Sequence, residues 1–328
     1  MSVGRRRGVN ALTVAILGEA LIDFIVGDDG AYRPHLGGSP YNVAIGLARQ
    51  GVAVSYLSPF SDDTFGDQLR DSLIREGVEV PQARRSRWPT SLALVTIDEA
   101  GLPTYRLYRE GIADKDASFD EIVASLPADL QVFHTGSLAI TPSQLPKVRK
   151  LFDLMQSRGV IVSVDINIRL RASLNTKAYL DGVRSLMELA DIVKASDEDI
   201  EALQLDPDPR RSAELAFGAM KSGMLVFPEG RGGAVLINAH GNIEKSAYPI
   251  ANIEDTVGAG DTFHSAFLAA LLRTGQLNKA LNEISQDSLG DAVDFACAAA
   301  AINVSRKGCS PPTQKEVEDF IESTHRPR

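Results

Sequence analysis

Two glycines and an acidic residue stand directly before a helical pattern in the stretch DTVGAGDTFHSAFLAALL, Asp255–Leu272. The apolar residues of this pattern recur at helical spacing, at Phe263, Ala266, Phe267, Ala270 and Leu271. A helix that begins within GAGD leaves its first backbone N–H groups without intrahelical partners, and its dipole adds positive potential there. Because Gly258 and Gly260 have no side chains, an anion can approach those N–H groups closely. The turn is therefore suited to hold the negative charge that develops on a phosphoryl group.

Asp261 directly follows this turn, at the place where a base for a hydroxyl nucleophile would stand. The local pattern also fits a second interpretation, in which Asp261 only stabilises the start of a helix. Other phosphate-binding motifs do not match. The sequence has no Gly-Lys pair and hence no Walker A loop, and GAGDTF lacks the third glycine of a dinucleotide fingerprint. Signatures of protein kinases are absent as well.

A second group of polar residues lies in the stretch GGSPYNVAIGLARQG, Gly37–Gly51. Ser39 is suited to cap a helix that begins here, and the two glycines before it let a ligand approach the backbone closely. Asn42 offers both a donor and an acceptor, and Asp23 stands in the preceding strand segment. These groups suit the paired hydroxyls of a polyol, although Asn42 could equally satisfy nearby backbone groups.

The elements that must position these residues follow an alternating order. Short apolar runs such as TVAILGEAL, VIVSVDINI, DIVKAS and MLVFPEG alternate with longer helix-like segments, which predicts a mostly parallel sheet covered by helices. Ligands bind such sheets beyond the carboxyl ends of the strands. Polar residues follow two of the predicted strands there, namely Asp165, Asn167, Arg169 and Ser196. Strand alternation also predicts that Asp165, Asn167 and Arg169 share one face.

Two segments break the alternation, residues 21–38 and residues 90–110. Each is predicted to be a pair of strands around a turn that contains glycine, with no room for a helix. We interpret them as a small β-sheet that projects from the main domain as a lid. The sequence shows no internal repeat and no interdomain linker, so residues 1–328 are predicted to form one α/β domain.

Composition narrows the classes of partner. Hydrophobic residues make up 44% and charged residues 23% of the chain, as in soluble globular proteins. The net charge of −9 argues against a nucleic-acid partner, and no apolar run approaches the ~20 residues of a membrane span. The two cysteines, Cys297 and Cys309, predict a reducing, cytoplasmic environment.

Together, GGSPYNVAIGLARQG and DTVGAGDTFHSAF resemble the two signatures of the ribokinase-like, or PfkB, family of carbohydrate kinases. GEALIDF, DINIR, KASDEDI and NVSRKG fall in the family's order, and the resemblance extends from about Ala15 to Pro312. It implies a three-layer α/β/α sandwich with a small β-sheet lid. It also implies that Asp261 deprotonates a sugar hydroxyl while a backbone cradle holds the transferred phosphoryl group of ATP. That cradle would comprise Gly258, Ala259 and Gly260.

The resemblance further implies the roles of residues around that centre. It places Arg169 near the phosphoryl group or the sugar. The sugar would be bound by Asp23, Gly37, Gly38 and Asn42, with Asp165 and Asn167 assigned to the same substrate edge. For the nucleotide, the family uses the positions of Ser196 and of PEGRGG, which include Pro228, Gly230 and Gly233.

Three features of the implied nucleotide and metal sites bear on ATP binding. Pro228 stands where a Thr is usual, and SDED replaces the common Asn-x-x-Glu, with Asp199 as the residue for a water-mediated Mg²⁺ contact. The family often binds a monovalent cation such as K⁺, for which the resemblance assigns Asp255 and the backbone of Val257. The implied cofactors are thus ATP, Mg²⁺ and K⁺.

The sequence is most similar to fructokinases within that family. An alternative is 2-keto-3-deoxygluconate kinase, because Arg109 could pair with the carboxylate of an acidic sugar. A second alternative is a catalytically inactive member that binds sugar as a regulator. Lid sheets in this family often pair between subunits, and we therefore expect a homodimer.

Overall fold

The computed structural model describes residues 13–27, 29–82, 84–97, 103–277 and 281–325. In these ranges an eight-stranded sheet and a four-stranded sheet form. In chain order the strands are β1 (Thr13–Leu17), β2 (Leu21–Val26), β3 (Tyr32–Gly37), β4 (Ala53–Tyr56), β5 (Ser91–Ile97), β6 (Pro103–Tyr108), β7 (Val132–Gly136), β8 (Ile161–Asp165), β9 (Ile192–Lys194), β10 (Met224–Pro228), β11 (Ala234–Asn238) and β12 (Gly241–Lys245).

The α-helices of the same ranges alternate with the strands of the large sheet. They are α1 (Ser39–Arg49), α2 (Thr64–Arg75), α3 (Phe119–Ala124), α4 (Leu145–Ser157), α5 (Thr176–Met187), α6 (Asp197–Leu203), α7 (Pro209–Gly218), α8 (Ala259–Arg273), α9 (Gln286–Val304) and α10 (Gln314–His325). Within the described ranges, no helix combines the length and the apolar character needed to span a membrane.

Helices cover both faces of the large sheet and divide its core into two apolar layers. Helices α1, α2, α8, α9 and α10 pack on one face, and α3 to α7 pack on the other. Strands β1, β7 and β8 are buried along their whole length, because side chains on both faces meet helices. This two-sided burial explains why these strands are continuous apolar runs in the sequence. The predicted three-layer sandwich is confirmed.

The strand order of the large sheet is β12-β11-β10-β9-β8-β7-β1-β4. Neighbours from β10 to β4 run parallel, whereas β11 and β12 form antiparallel pairs at one edge. The predicted parallel sheet is thus confirmed for its main part. The edge hairpin was not predicted, because GAVLINAHGNIEKS offers only a short polar turn between two brief runs.

The end of β8 differs from the sequence prediction. The strand stops at Asp165, and Asn167 adopts a left-handed backbone with φ 31°. Arg169 then precedes a single 3₁₀ turn. Strand alternation therefore does not extend to Asn167 and Arg169, and the prediction that they share one face with Asp165 was wrong. The backbone leaves the strand because it must turn along the carboxyl edge of the sheet.

The small sheet has the order β3-β2-β5-β6 and contains both segments that break the alternation. β2 pairs antiparallel with β3, β5 pairs antiparallel with β6, and the two hairpins join through the parallel pair β2–β5. Leu21 and Ala93, at the base of this sheet, pack on Leu138 after β7. The lid sheet is confirmed, while Asp28 and the β5–β6 turn (98–102) lie outside the described residues.

Helices α1 and α8 cross at a contact between two small residues. Gly46 of α1 lies so close to Ser265 of α8 that an added Cβ would overlap its side chain. The absence of a side chain at Gly46 therefore sets how closely the two helices approach. This approach matters because the first turns of both helices carry candidate site residues.

We predict that Gly46→Ala lowers the free energy of unfolding by about 1–3 kcal/mol, because the new methyl group overpacks the crossing. Urea unfolding measures the change. Gly218→Ala is the matched control: Gly218 ends helix α7 with open space around it, so alanine there should be neutral or stabilise by about 0.4–1 kcal/mol. Equal stability of Gly46→Ala and the parent would contradict the close crossing.

Candidate active site

The glycine turn forms a cradle of backbone amides at the start of α8. Gly258 precedes the helix with φ 72°, a left-handed conformation that strains other residues. A Cβ on Gly258 would overlap Cys309, and one on Gly260 would lie 3.1 Å from the Lys194 ammonium nitrogen. Backbone conformation and packing therefore require glycine at position 258. At position 260, the lack of a side chain leaves the approach to the Lys194 ammonium group open. Ala259, the first helical residue, donates its N–H to the Thr256 carbonyl at 3.2 Å, whereas the N–H groups of Gly258 and Gly260 have no acceptor among the described residues.

Asp261 lies in the first turn of α8, is 8% exposed, and accepts two hydrogen bonds from α1. Ser39 Oγ donates to Oδ1 at 2.7 Å, and Asn42 Nδ2 donates to Oδ2 at 2.8 Å. Burial raises the pKa of Asp261, and these two hydrogen bonds, with Lys194 and Arg169, oppose the rise. Each carboxylate oxygen retains a lone pair for a further donor. This is a buried, hydrogen-bonded carboxylate that is more basic than an exposed one.

Ser39 differs from its predicted role. Helix α1 begins at Ser39, its N-cap is Gly38, and no side chain caps it. The Ser39 hydroxyl instead reaches across to Asp261. Gly38 has φ 114°, and a Cβ there would lie 2.5 Å from the Glu19 carbonyl oxygen. The chain enters α1 through a conformation that glycine adopts readily, and this entry directs Ser39 towards α8.

Asp23 in β2 and Arg169 after β8 face the same region from the lid and from the main sheet. Burial raises the pKa of Asp23 to about 6, and the positive charge of Arg169 opposes that rise. No hydrogen bond to the Asp23 carboxylate occurs among the described residues. A Cβ on Gly37 would lie 2.5 Å from Asp23 Oδ2, so Gly37 leaves room for this carboxylate. Arg169 donates only to the Ile168 carbonyl through its side chain, within the same ranges.

Asp165 and Lys194 are cross-strand neighbours at the ends of β8 and β9. Lys194 Nζ donates to both Asp165 oxygens at 3.0 Å, and the side chains are 5% and 0% exposed for Lys194 and Asp165. Burial raises the pKa of Asp165 to about 7, and Lys194 opposes the rise. Since Asp165 is fully enclosed and paired, it cannot reach a sugar directly. It instead holds the ammonium group of Lys194 under Gly260.

Arg109, predicted for an acidic substrate, already has a carboxylate partner. Its Nη1 lies 2.8 Å from Asp114 and also donates to Ser91 Oγ at 2.8 Å. The Arg109 side chain is 9% exposed and is thus enclosed by the protein. Burial raises the pKa of nearby Glu19 to about 7, and Arg109 opposes that rise. Arg109 therefore belongs to a buried ionic cluster at the base of the lid.

Ser196 and Asp199 form a capping box at the start of α6. One Asp199 oxygen accepts from the Ser196 N–H and hydroxyl at 2.8 Å, and the other accepts from the Ile168 N–H at 2.6 Å. Asp199 is 2% exposed. Because its oxygens are enclosed and engaged, the implied water-mediated Mg²⁺ contact at Asp199 does not fit this structure. The Asp in SDED thus stabilises the backbone here.

The predicted nucleotide loop follows β10 at the same carboxyl edge. Pro228 ends β10 opposite Ala234, and Glu229 N donates to the Gly233 carbonyl at 2.8 Å. Gly230 has φ 54° with open space around it, and Gly233 has φ 108° and packs against the Lys245 carbonyl. Because Pro228 lies at the strand end, its missing N–H removes no hydrogen bond from the interior of the sheet. Ala195, directly before Ser196, donates to β10, so both nucleotide segments are adjacent.

Asp255 and Val257, predicted for a monovalent cation, lie in the loop before α8. Asp255 Oδ1 accepts from Val257 N at 3.0 Å, and Oδ2 accepts from Gly308 N at 2.9 Å. The Val257 carbonyl accepts from Asn303 Nδ2 at 2.9 Å. This loop is therefore tied to the segment that follows α9.

Three residues of the site had no correct role in the sequence analysis: Ser39, Lys194 and Asn303. Ser39 was taken for a helix cap. Lys194 had a signal in the sequence, since a lysine inside the apolar run DIVKAS is either exposed at a strand end or paired. Asn303, within a helix otherwise rich in alanine, carried the same kind of signal.

Comparison with known proteins identifies the family of this chain. The model of the pfkB family carbohydrate kinases matches residues 11–316. "Probable fructokinase-5" of Arabidopsis thaliana is 28% identical over 328 residues, which cover 96% of this chain and 98% of that protein.

Solved structures agree in fold. A fructokinase from Xylella fastidiosa with bound ATP superposes with a TM-score of 0.87 at 27% identity, covering 96% of this chain and 99% of that one. An aminoimidazole riboside kinase from Salmonella enterica has a TM-score of 0.81 at 24% identity, with 95% and 99% covered, and supports the fold alone.

We predict that Asp23→Asn stabilises the protein more at pH 8 than at pH 4, by about 2–3 kcal/mol. The folded-state pKa of Asp23, about 6, lies above the usual 3.8. Ionising this buried carboxylate therefore costs stability as the pH rises through that interval, and asparagine removes the cost. Urea unfolding at both pH values measures it, with exposed Asp153→Asn in α4 as control. If the change in unfolding free energy between pH 4 and pH 8 were the same for Asp23→Asn and Asp153→Asn, the burial argument would be contradicted.

Proposed function

This chain belongs to the pfkB family of carbohydrate kinases, and we propose that it is a fructokinase, which transfers the γ-phosphoryl group of ATP to a hydroxyl of fructose. The observation that carries the proposal is the contact of α1 with α8. Ser39 and Asn42 hold the Asp261 carboxylate beside the amide cradle of Gly258–Gly260. A base for an alcohol and a cradle for a phosphoryl group are thus adjacent.

The proposed reaction requires little covalent chemistry from the protein. Asp261 accepts the proton of the attacking sugar hydroxyl, and its raised pKa makes it a better acceptor than an exposed aspartate. The two hydrogen bonds from α1 orient the carboxylate and keep it ionised before the sugar arrives. Phosphoryl transfer itself depends mainly on positioning and on charge stabilisation. No covalent enzyme intermediate is needed.

Charge stabilisation comes from the residues around the cradle. The N–H groups at the start of α8 face the position of the transferred phosphoryl group. Lys194, fixed by Asp165, adds positive charge below Gly260. The positive charge of Arg169 acts on both Asp23 and Asp261, which supports a role for Arg169 near both the sugar and the phosphoryl group. Mg²⁺ bound with ATP would neutralise phosphate charge, and the enclosed Asp199 of α6 would not hold the metal.

The sugar hydroxyls are assigned to Asp23 and to the backbone at Gly37 and Gly38. The Asp23 carboxylate at the lid base is largely buried and accepts no hydrogen bond from another described residue, so it is ready to accept from a ligand. Asn42 retains its carbonyl oxygen as an acceptor while its NH₂ group serves Asp261. Closure of the lid over these groups would exclude water, which otherwise hydrolyses ATP.

Fructose is favoured over 2-keto-3-deoxygluconate because the guanidinium proposed for an acidic sugar is already paired. Asp114 occupies Arg109 in a buried ion pair, and separating it to bind a substrate would leave Asp114 without its partner. The alternative of an inactive sugar-binding regulator is disfavoured, because such a protein would have no use for a buried base held by two donors. The test below distinguishes fructokinase from both alternatives.

The test is an ADP-release assay with fructose, 2-keto-3-deoxygluconate, ribose and aminoimidazole riboside. We expect kcat/KM for fructose to exceed that for the acidic sugar by at least about tenfold, the cost of one unmatched charge. Asp261→Asn should lower kcat at least about 100-fold, since it removes the general base. Fructose binding by calorimetry should be largely kept.

The matched control is exposed Asp153→Asn, which should turn over like the parent. Absence of ADP release with every sugar would contradict the kinase assignment and favour the regulator. Preferred turnover of the acidic sugar would contradict fructokinase but leave the kinase intact. Unchanged turnover in Asp261→Asn would remove Asp261 from its role as base.

We further propose a cytoplasmic homodimer that pairs through the lids. The lid's outer strands β3 and β6 carry exposed Tyr32, Tyr105 and Tyr108, at 42%, 44% and 60% exposure. Edge strands with exposed aromatic residues favour pairing with another chain. Sedimentation velocity should give about twice the monomer mass of 35.3 kDa, and a monomer at all concentrations would contradict the pairing.

A further inference from the structure

Three segments meet directly behind the phosphoryl cradle. They are the loop before α8, with Asp255 and Val257, the end of α9, with Asn303, and the loop after α9, with Gly308 and Ser310. Val257 directly precedes Gly258, so whatever joins these segments also fixes the start of the cradle. The resemblance to PfkB kinases assigns a monovalent cation to the first of these segments, at Asp255 and the backbone of Val257.

A monovalent cation would need several oxygen atoms directed at one point, because such ions are held by carbonyl and carboxylate oxygens. The oxygens of this junction already have donors. Val257 O accepts from Asn303, Val304 O accepts from Glu254 N at 2.9 Å, and both Asp255 oxygens accept from backbone N–H groups. The oxygens of Asp255 and Val257, which were assigned to the cation, each have a protein donor, and an ion would have to compete with these donors.

The orientation of the Asn303 side chain follows from its neighbours and requires no choice between its O and N atoms. Ser310 N donates to Asn303 Oδ1 at 2.8 Å, and a backbone N–H can only donate. The NH₂ group must therefore face the Val257 carbonyl, which can only accept. Asn303 is fully buried, and so water cannot easily replace it. A hydrogen-bond donor thus stands against the oxygen that was assigned to the cation.

A fixed positive charge lies at the same junction. Arg306 Nη1 donates to the Ser310 carbonyl at 3.3 Å, and Arg306 Nη2 pairs with Glu316 of α10. A further carbonyl oxygen of the loop is therefore occupied by a guanidinium.

We propose that the Asn303 side-chain amide replaces the monovalent cation, so that this kinase works without K⁺. The inference rests on the proposed sugar-kinase function for its consequence in catalysis. Asn303 binds Val257 on one side and Ser310 on the other, and so joins the loop before α8, to which the cation was assigned, to the loop after α9. Groups of the protein itself, which are always present, hold the cradle at Gly258 by hydrogen bonds. The geometry of the cradle therefore does not vary with the ionic composition of the solvent.

The test compares three proteins: the parent, Asn303→Asp and the exposed control Asn242→Ala. Each is measured in roughly 100 mM KCl and in choline chloride of equal ionic strength, at about pH 8, where a carboxylate is ionised. Thermal unfolding needs no turnover, so it reports on the site even if the sugar is wrong. In the parent and the control, Tm should differ between the salts by no more than about 1 °C. Asn303→Asp turns a carboxylate oxygen towards the Val257 carbonyl, and KCl should raise its Tm by about 3 °C or more, because an ion that binds only the folded state stabilises it.

Sugar phosphorylation supplies the catalytic readout. The parent should have kcat values within about twofold in the two salts, while KCl should raise kcat of Asn303→Asp at least about fivefold, as coupling of about 1 kcal/mol predicts. Crystals grown with thallium(I), which mimics K⁺, should show anomalous scattering at Asp255 and Val257 in Asn303→Asp alone.

Saturable stabilisation or activation of the parent by KCl, or thallium scattering at its Asp255, would overturn the proposal. An Asn303→Asp variant that responds to KCl no more than the parent would also overturn it, because the amide would then not stand in the place of an ion. Failure of every sugar to react would instead contradict the proposed function, and it would leave the Tm and thallium results to decide the cation question.

Discussion

The two hydrogen bonds from α1 to Asp261 are the contact on which the candidate active site depends. An ionised carboxylate that is 8% exposed is costly to bury, and Ser39 and Asn42 offset that cost from a helix more than 200 residues earlier, with sequence separations of 222 and 219. The dipole of α8 and the charge of Lys194 act in the same direction. These interactions favour the ionised form of the proposed base and orient it before any substrate binds.

This contact constrains the surrounding fold. Helices α1 and α8 must approach closely, and the pair Gly46 and Ser265 permits it. The chain must enter α1 through Gly38 and α8 through Gly258, both at positive φ. Lid strands β2 and β3 precede α1 directly, so the same entry positions the Asp23 carboxylate, which we propose binds the sugar. Packing of one helix pair thus links the lid, the substrate side and the cradle.

Several charged residues near the site serve the scaffold. Asp165 holds Lys194, Asp114 holds Arg109, and Asp199 caps α6 while accepting from Ile168. Each of these carboxylates is nearly enclosed and paired or hydrogen-bonded, as buried charges must be. Asn303 has a comparable part behind the cradle. Asp23 and Arg169 differ from them, since neither forms a strong pair with a described residue, and that difference leaves them available to ligands.

The sequence by itself determined the fold class, the lid segments and the location of the cradle. Apolar runs, glycine turns and helical spacing are local signals, and each acts within a few residues. The start of α8 within GAGD and the strand pairs at 21–38 and 90–110 were predictable for that reason. The two signatures also carried the family, because their residue types and order are specific.

Only the tertiary structure decided which side chains remain free. The sequence suggested that Ser39 caps a helix, but its hydroxyl donates a hydrogen bond to Asp261. The sequence also suggested that Arg109 is free to bind a substrate, but Arg109 is paired with Asp114. Asp199 and Val257 likewise have partners 31 and 46 residues away in the chain. A local pattern states what a residue can donate or accept, but it does not contain the distant partner that satisfies it. That choice is made when helices and strands pack and each buried polar group must find a hydrogen bond.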